Sequence, residues 1–204
     1  MCGIVGYVGG RPALSIVLDG LRRLEYRGYD SAGVAVIDND TVLTEKKAGK
    51  LANLEKALAE RTGADIASGM TAIGHTRWAT HGGPTDRNAH PHLSADGRVA
   101  VIHNGIIENF ARLRAELEAT GVEFASDTDT ECAAHLLAAE LADQGAPSAD
   151  GLAAAMRRVC QRLEGAFTLL AVDSAVPGAV VGARRNSPLV VGRGAGENYL
   201  ASDV

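Results

Sequence analysis

Short apolar runs and apolar residues at helical spacing alternate along this chain, and they predict strands and helices respectively. The first run, residues 3–8 (GIVGYV), predicts a strand that begins almost at the start of the chain. Chain termini fray unless an element of secondary structure anchors them. We therefore expect this strand to hold residue 2 in a fixed position.

Helical spacing predicts five helices. In the first, between Pro12 and Glu25, the apolar positions are Leu14, Val17, Leu18, Leu21 and Leu24. The other four are predicted over 50–61, over 109–120, from Thr128 to about Asp143, and after Ser148. The further strands are predicted at 32–38, 41–48, 70–76, 98–103, 166–173, 178–184, 188–192 and 198–204.

Capping and turn residues mark several of these boundaries. Asn39-Asp40 is a short turn-forming pair and predicts a hairpin between the second and third strands. Thr128 and Glu131 have the spacing of a capping box, and Ser148 is a further candidate N-cap. Between two predicted strands lies a long polar segment, residues 79–97, and loops of that length in compact domains are often functional.

Composition and charge narrow the classes of function. The chain has 204 residues, 46% of them hydrophobic, and a net charge of −5 from 20 basic and 25 acidic residues that are interspersed. Without a basic block, nucleic acid is not an expected partner. No run of about 18 apolar residues predicts a membrane span. We expect a soluble, cytoplasmic protein whose three cysteines are reduced thiols.

Cys2 is the first candidate for chemistry. Gly3 follows it and Met1 alone precedes it, and a small second residue generally allows the initiator methionine to be removed. A mature N-terminal cysteine carries its thiol and a free α-amine in one residue, and the amine can accept the thiol proton near neutral pH. The alternative is a small buried cysteine that happens to stand second.

Asn104 and Gly105 are the second candidate. They end a predicted strand and place a side-chain amide beside a backbone N–H, a pair of donors that suits a developing oxyanion. The alternative is an ordinary Asn-Gly turn.

Arg77, Trp78 and Asp129 are further candidates. Arg77 ends a predicted strand and leads into the glycine-containing segment 79–97, where a guanidinium suits capture of a carboxylate. Asp129 stands at a helix N-terminus, where an acidic side chain is favoured, and it can also hold an ammonium group. A surface ion pair for Arg77 and a core position for Trp78 are the alternatives.

Five of the six histidines fall between residues 75 and 103. None of them stands in a helical zinc-binding motif, and His90-Pro91-His92 lacks companion ligands at a suitable spacing. The glycine-rich segments do not form a phosphate loop either. We therefore predict neither a metal site nor an organic cofactor.

Five segments occur in a fixed order: MCGIVGYVG at the start, LEYRGYDSAG at 24–33, GHTRWATHG at 74–82, HNGIIEN at 103–109 and SDTDTE at 126–131. Together they resemble the glutaminase domain of class II glutamine amidotransferases, and the resemblance covers nearly the whole chain. The second and third segments are most similar to the branch of the family that makes glucosamine 6-phosphate from fructose 6-phosphate.

The resemblance implies an α+β N-terminal nucleophile hydrolase fold, a four-layer αββα sandwich with two stacked antiparallel sheets. Cys2 would attack the side-chain amide of L-glutamine to form a thioester, and Asn104 with the Gly105 N–H would stabilise the oxyanion. The resemblance also implies which residues bind the substrate. They are Arg77, Thr80 and His81 at the α-carboxylate, Asp129 and the Gly105 carbonyl at the α-ammonium, and Trp78 as a cover; Arg27 and Tyr29 would support the pocket wall.

Residues 1–204 would then be one glutaminase domain. In the whole protein, a homodimer, sugar-isomerase domains would follow it and receive the ammonia. If Met1 persists, Cys2 has no free α-amine and the protein should be inactive. The alternatives are the glutaminase domain of another class II enzyme, such as an amidophosphoribosyltransferase or asparagine synthetase, and a silent glutamine-binding module.

Overall fold

The computed structural model describes residues 2–62 and 66–204, so Met1 lies outside the described residues. Ten strands lie in these ranges: β1 Gly3–Val8, β2 Ser31–Asp38, β3 Thr41–Ala48, β4 Thr71–Arg77, β5 His92–Leu93, β6 Val99–Gly105, β7 Phe167–Asp173, β8 Val181–Arg185, β9 Val190–Arg193 and β10 Asn198–Ala201. The α-helices of the same ranges are α1 Ala13–Arg23, α2 Leu51–Glu60, α3 Phe110–Ala119, α4 Thr130–Ala142 and α5 Ala149–Arg162.

The strands form two antiparallel sheets. The first sheet has the order β3-β2-β4-β1-β10-β9, and the second has the order β5-β6-β7-β8. β1 lies inside the first sheet, where it pairs with β4 from Gly3 opposite Thr76 onward. On its other side β1 pairs with β10. The predicted N-terminal strand is thus held by hydrogen bonds along both edges.

Three apolar clusters separate four layers. One cluster joins α1 and α2 to the outer face of the first sheet. A second joins α3, α4 and α5 to the outer face of the second sheet. The third lies between the sheets and includes Ile4, Ile73, Ile102 and Leu170. This α+β arrangement confirms the predicted αββα sandwich with two stacked antiparallel sheets.

Several local predictions are confirmed. Asn39 and Asp40 have φ values of 45° and 59° in the turn between β2 and β3, as a two-residue hairpin loop requires. The Ser148 side chain accepts a hydrogen bond from the Gly151 N–H at 3.1 Å and caps α5. α1 buries the apolar stripe that predicted it, with Leu14, Val17, Leu18 and Leu21 among its buried residues.

Several boundary predictions are wrong, and the contacts explain two of them. α4 begins at Thr130 and has no side-chain cap, because the Thr128 hydroxyl contacts Ser126 Oγ and His92 Nε2 instead. Glu131 accepts from the backbone N–H groups of residues 125 and 126, upstream of the helix. The last strand ends at Ala201 rather than at residue 204, because Ser202 turns to hydrogen-bond Ile4 through its side chain.

Segment 79–97 is also more structured than its composition predicts. It contains the short strand β5, which pairs with β6. The carbonyl oxygen of His90 lies only 2.1 Å from the position that a Cβ atom on Gly33 would occupy. Gly33 therefore allows this segment to pack directly against β2.

No helix in the described ranges combines the length and the apolar character needed to cross a lipid bilayer.

The contact at Gly33 predicts a large difference between two glycine substitutions. Gly33→Ala should lower the free energy of unfolding by about 3 kcal/mol, because overpacking forces the backbone of residue 90 to move. Gly178→Ala is the matched control, since a Cβ atom there meets nothing within 4 Å, and it should stay within about 0.5 kcal/mol of wild type. Urea unfolding of the two variants measures this difference, and equal stabilities would contradict the packing described here.

Candidate active site

Cys2 lies in a cavity of about 530 Å³ at the end of β1, a volume typical of small-molecule sites. The residues that line it are Cys2, Arg27, Trp78, Thr80, Asn104, Gly105, Ile106, Ser187 and Pro188. Five of these were candidate site residues from the sequence, and Arg27 was predicted to support the wall. Sequence analysis did not predict Ile106, Ser187 or Pro188. Ser187 and Pro188 reach the cavity from the distant loop between β8 and β9.

The Cys2 thiol is half-buried and contacts the backbone of Trp78. The Trp78 N–H donates to Cys2 Sγ at 3.0 Å. Burial raises the pKa of the thiol, and the Trp78 N–H opposes that rise. The thiol therefore needs a base to become a nucleophile near neutral pH.

The carbonyl group of Cys2 is held from two sides. Asn104 Nδ2 donates to it at 3.1 Å from β6 of the second sheet, and Arg27 donates to it at 3.3 Å. Arg27 also donates to Asp203 at 2.6 Å. The Asn104 amide and the candidate nucleophile therefore lie at the same place, although they are 102 residues apart in the chain.

Gly105 has a φ of 125° and ends β6. A Cβ atom there would lie 2.1 Å from the carbonyl oxygen of Ala166. Both the positive φ and this close approach require glycine. The sequence Asn-Gly therefore marks a tightly constrained strand end beside the cavity rather than a free surface turn.

Arg77 is buried at the end of β4 and faces the following loop. Its Nη2 donates to the carbonyl oxygens of His81 and Gly82 at 2.5 and 3.1 Å, and its Nη1 donates to that of Gly83 at 3.3 Å. Arg77 is therefore not the surface ion-pair residue of the alternative interpretation. It fixes the backbone of the loop that begins at Trp78.

Asp30 fixes the start of the same loop, and sequence reasoning gave it no role. Its Oδ2 accepts from the Ala79 N–H at 2.5 Å, and its own N–H donates to the Arg77 carbonyl at 2.7 Å. The position of Asp30 inside the segment EYRGYDSAG was the available signal. Trp78 lies between these anchors with 56% of its surface exposed, so it is not the core residue of the alternative interpretation.

Asp129, His81 and Arg77 lie outside the lining of the cavity. Asp129 is buried immediately before α4, and its Oδ2 accepts from the Ile107 N–H at 2.8 Å. Ile107 directly follows Gly105 and Ile106, which line the cavity, so the Asp129 carboxylate contacts the backbone next to the cavity wall. The His81 ring packs on Phe110, with 4.5 Å between ring centroids.

Four buried histidines form a cluster behind Asn104: His75, His90, His92 and His103. Burial lowers the pKa of each, and it lowers that of His75 to about 3. The rings are therefore neutral at physiological pH. The Thr130 hydroxyl contacts His90 Nε2 at 2.8 Å and His103 Nδ1 at 2.9 Å.

These histidines engage hydroxyl and amide groups. Within residues 2–62 and 66–204, no group of three or more His, Cys, Asp or Glu side chains is arranged to hold a metal ion.

A larger cavity, of about 690 Å³, lies away from Cys2. Two of its charged groups, Lys46 and Glu131, already have partners. Lys46, whose pKa burial lowers to about 8, donates to three backbone carbonyl groups between Arg87 and Pro91. Glu131 accepts from the N–H and hydroxyl of Ser126 at 2.6 and 2.5 Å. We place the candidate site at the smaller cavity because the Cys2 thiol and the Asn104 amide both lie there.

The surroundings of the Cys2 thiol predict its reactivity. In protein that retains Met1, the rate of Cys2 alkylation by iodoacetamide should rise with pH through a midpoint above 9.0, the ordinary thiol value. The reason is that burial favours the neutral thiol and only the thiolate reacts. Peptide mapping separates Cys2 from Cys132 and Cys160, and a midpoint below 9.0 would show that the Trp78 N–H outweighs burial.

Comparison with known sequences agrees with this geometry. The profile of the "Glutamine amidotransferase domain" family matches residues 75–204. The chain is 64% identical over its whole length to the glutamine–fructose-6-phosphate aminotransferase (isomerizing) of Streptomyces coelicolor, of which it covers 32%. It is 61% identical to the enzyme of the same name from Mycolicibacterium smegmatis, of which it covers 33%. The chain thus spans about a third of the length of these relatives.

Comparison with solved structures gives the same family. The glutamine phosphoribosylpyrophosphate amidotransferase from B. subtilis superimposes with a TM-score of 0.77 at 26% identity, over 98% of this chain and 42% of that one. Such amidotransferases have the N-terminal nucleophile fold that the two stacked sheets were predicted to form. The chain therefore belongs to the glutamine amidotransferase domain family, with the N-terminal nucleophile hydrolase fold.

Proposed function

We propose that residues 1–204 act as one glutaminase domain, which hydrolyses the side-chain amide of L-glutamine to L-glutamate and ammonia. The observation that carries this proposal is the convergence of the Cys2 thiol and the Asn104 amide in one cavity. Membership of the glutamine amidotransferase family supports it.

The proposed reaction begins with removal of Met1, which frees the α-amine of Cys2. This amine takes the thiol proton, and Sγ attacks the carbon of the glutamine side-chain amide. The need for a base follows from burial, which raises the pKa of the thiol. The Trp78 N–H, 3.0 Å from Sγ, stabilises the thiolate as it forms.

The tetrahedral intermediate carries its charge on the former amide oxygen. We assign its stabilisation to Asn104 Nδ2 and to the backbone N–H of Gly105, two residues that line the cavity. The protonated amine of Cys2 then gives its proton to the departing ammonia, and a thioester remains. Water hydrolyses this thioester, which releases glutamate and restores the thiol.

The two charged ends of the amino acid need opposite partners. We assign the α-carboxylate to Arg77, Thr80 and His81, and the α-ammonium to Asp129 with the Gly105 carbonyl. Because the guanidinium of Arg77 donates to the carbonyl oxygens of residues 81–83, binding of a carboxylate would make Arg77 share its donors with that loop. Trp78, exposed beside Cys2, would cover the bound substrate.

For the whole protein we propose that the ammonia goes to fructose 6-phosphate, bound by domains outside this chain, to give glucosamine 6-phosphate. The support is the 64% identity to an enzyme named for that acceptor, against 26% to the phosphoribosylpyrophosphate enzyme.

We also propose a cytoplasmic location, because a catalytic thiol needs a reducing compartment. A homodimer is proposed for the whole protein, and sedimentation of the full-length protein tests it.

The nucleophile proposal predicts the activity of three proteins. Protein that intact mass shows to begin at Cys2 should release ammonia from L-glutamine. Cys2→Ala should release none above background, because no thioester can form. Protein that retains Met1 should be equally inactive, because its Cys2 has no free amine. An enzyme-coupled ammonia assay measures all three, and activity that survives Cys2→Ala would refute the proposal.

The ammonium assignment predicts a defect in binding. Asp129→Asn keeps an oxygen for the Ile107 N–H but loses the negative charge. It should raise KM for glutamine about 30- to 100-fold, as expected for loss of a charge-assisted hydrogen bond. Asp127→Asn is the matched control, since this exposed residue pairs with Arg87 and should leave KM within about twofold. Equal KM values for the two variants would remove Asp129 from the substrate site.

A further inference from the structure

The Asn104 amide lies between two groups that constrain its orientation. Its Nδ2 is 3.1 Å from the carbonyl oxygen of Cys2. Its Oδ1 is 2.8 Å from Nε2 of His75. His75 belongs to β4 of the first sheet and Asn104 to β6 of the second, so this contact crosses the interface between the sheets.

The hydrogen-bonding capacities of these groups leave one arrangement. A backbone carbonyl group only accepts, so the NH₂ group of Asn104 must face Cys2. The amide oxygen then faces His75, and an oxygen cannot donate. His75 must therefore carry its proton on Nε2 and donate it to Asn104 Oδ1.

The surroundings of His75 keep its ring neutral and fixed. The ring is wholly buried, and burial lowers its pKa to about 3, with the bond to Asn104 opposing that shift. His90 packs on it, with 4.3 Å between ring centroids, and the Thr130 hydroxyl holds His90 in turn. In register, His75 stands opposite Ile4 of β1 and Gly33 of β2, so β4 is held on both sides at this point.

We propose that His75 is a positioning residue for the glutaminase reaction, because its donation to Asn104 Oδ1 keeps Asn104 Nδ2 directed toward the oxyanion. This inference rests on the proposed function of Cys2 and Asn104. Without a donor at residue 75, the amide keeps only its hydrogen bond to the Cys2 carbonyl oxygen, and orientations that present its oxygen to the developing negative charge become more populated. His75 does not touch the substrate; it acts through Asn104.

Two variants of His75 distinguish orientation of the Asn104 amide from a packing role of the side chain. His75→Met fills a similar volume without a donor, and it should lower kcat about 30- to 100-fold and leave KM within about twofold. This loss is smaller than the roughly 10²–10³-fold that removal of an oxyanion donor causes, because the Asn104 amide is still present. His75→Gln places an amide N–H near the position of Nε2, and it should recover kcat to within about fivefold of wild type. Equal kcat values for the two variants, or a wild-type kcat for His75→Met, would overturn the proposal.

A double-mutant cycle with Asn104→Ala sharpens the test. In protein that already lacks the Asn104 amide, His75→Met should change kcat by less than about twofold, because nothing remains to be positioned. An undiminished 30- to 100-fold loss in that background would show that His75 acts by another route. Thermal unfolding of each variant checks that it is folded.

A spectroscopic measurement shows, independently of activity, whether His75 donates from Nε2 to Asn104 Oδ1. Ring ¹⁵N chemical shifts of His75 in the wild-type protein, assigned by comparison with His75→Gln, should be those of the neutral tautomer protonated on Nε2 from pH 6 to 8. A neutral ring protonated on Nδ1, or a charged ring, would overturn the proposal. If wild-type protein that begins at Cys2 releases no ammonia, the proposed function fails, and these shifts still decide the orientation of the Asn104 amide.

Discussion

The pairing of β1 on both of its edges is the constraint on which the site depends. Strand β4 holds one edge and β10 the other, and the Gly3 N–H also donates to the Thr76 hydroxyl at 3.0 Å. A chain start is otherwise poorly ordered unless an element of secondary structure holds it. Because β1 cannot move without breaking two ladders, the residue before it occupies one place, and a nucleophile needs that fixed place to meet its electrophile.

Both sheets contribute groups that lie around Cys2. β4 continues into Arg77 and the backbone of Trp78, whose N–H reaches the thiol. β6 brings Asn104 to the Cys2 carbonyl from the opposite sheet. Asp30, immediately before β2, anchors the loop that follows Trp78. The stacking of the two sheets thereby brings residues that are distant in sequence close together around the thiol.

Burial favours the neutral forms of the Cys2 thiol and of the four buried histidines behind Asn104. It raises the pKa of the Cys2 thiol and lowers that of the histidine cluster. The cluster thus adds no positive charge behind the Asn104 amide, and its rings hydrogen-bond to amide and hydroxyl groups. Because burial favours the neutral thiol, the proposed mechanism needs a base, and we assign that role to the free α-amine of a processed N-terminus.

Local patterns in the sequence predicted what local physics determines. The apolar stripe of α1, the Asn39-Asp40 hairpin and the Ser148 cap all depend on residues within a few positions of one another, and the structure has them. The Thr128–Glu131 capping box failed because His92, 36 residues away, takes the Thr128 hydroxyl. The engagement of Arg77 with loop carbonyls, and the approach of Ser187 and Pro188 to the cavity, depend on tertiary contacts that no spacing encodes. For the residue roles, the sequence supplied the motifs through their resemblance to a family, and the structure brought Cys2 and Asn104 together.

The most direct test of the account is to trap the intermediate on Cys2. Protein that begins at Cys2 is mixed with L-glutamine and quenched in acid within the first turnover, and its intact mass and peptide map are recorded. We predict a glutamyl adduct on the peptide that contains Cys2, labile to hydroxylamine as a thioester is, and absent from Cys2→Ala. Ammonia release without any adduct under single-turnover conditions, or an adduct on Cys132 or Cys160, would contradict the claim that the anchored N-terminal cysteine is the nucleophile.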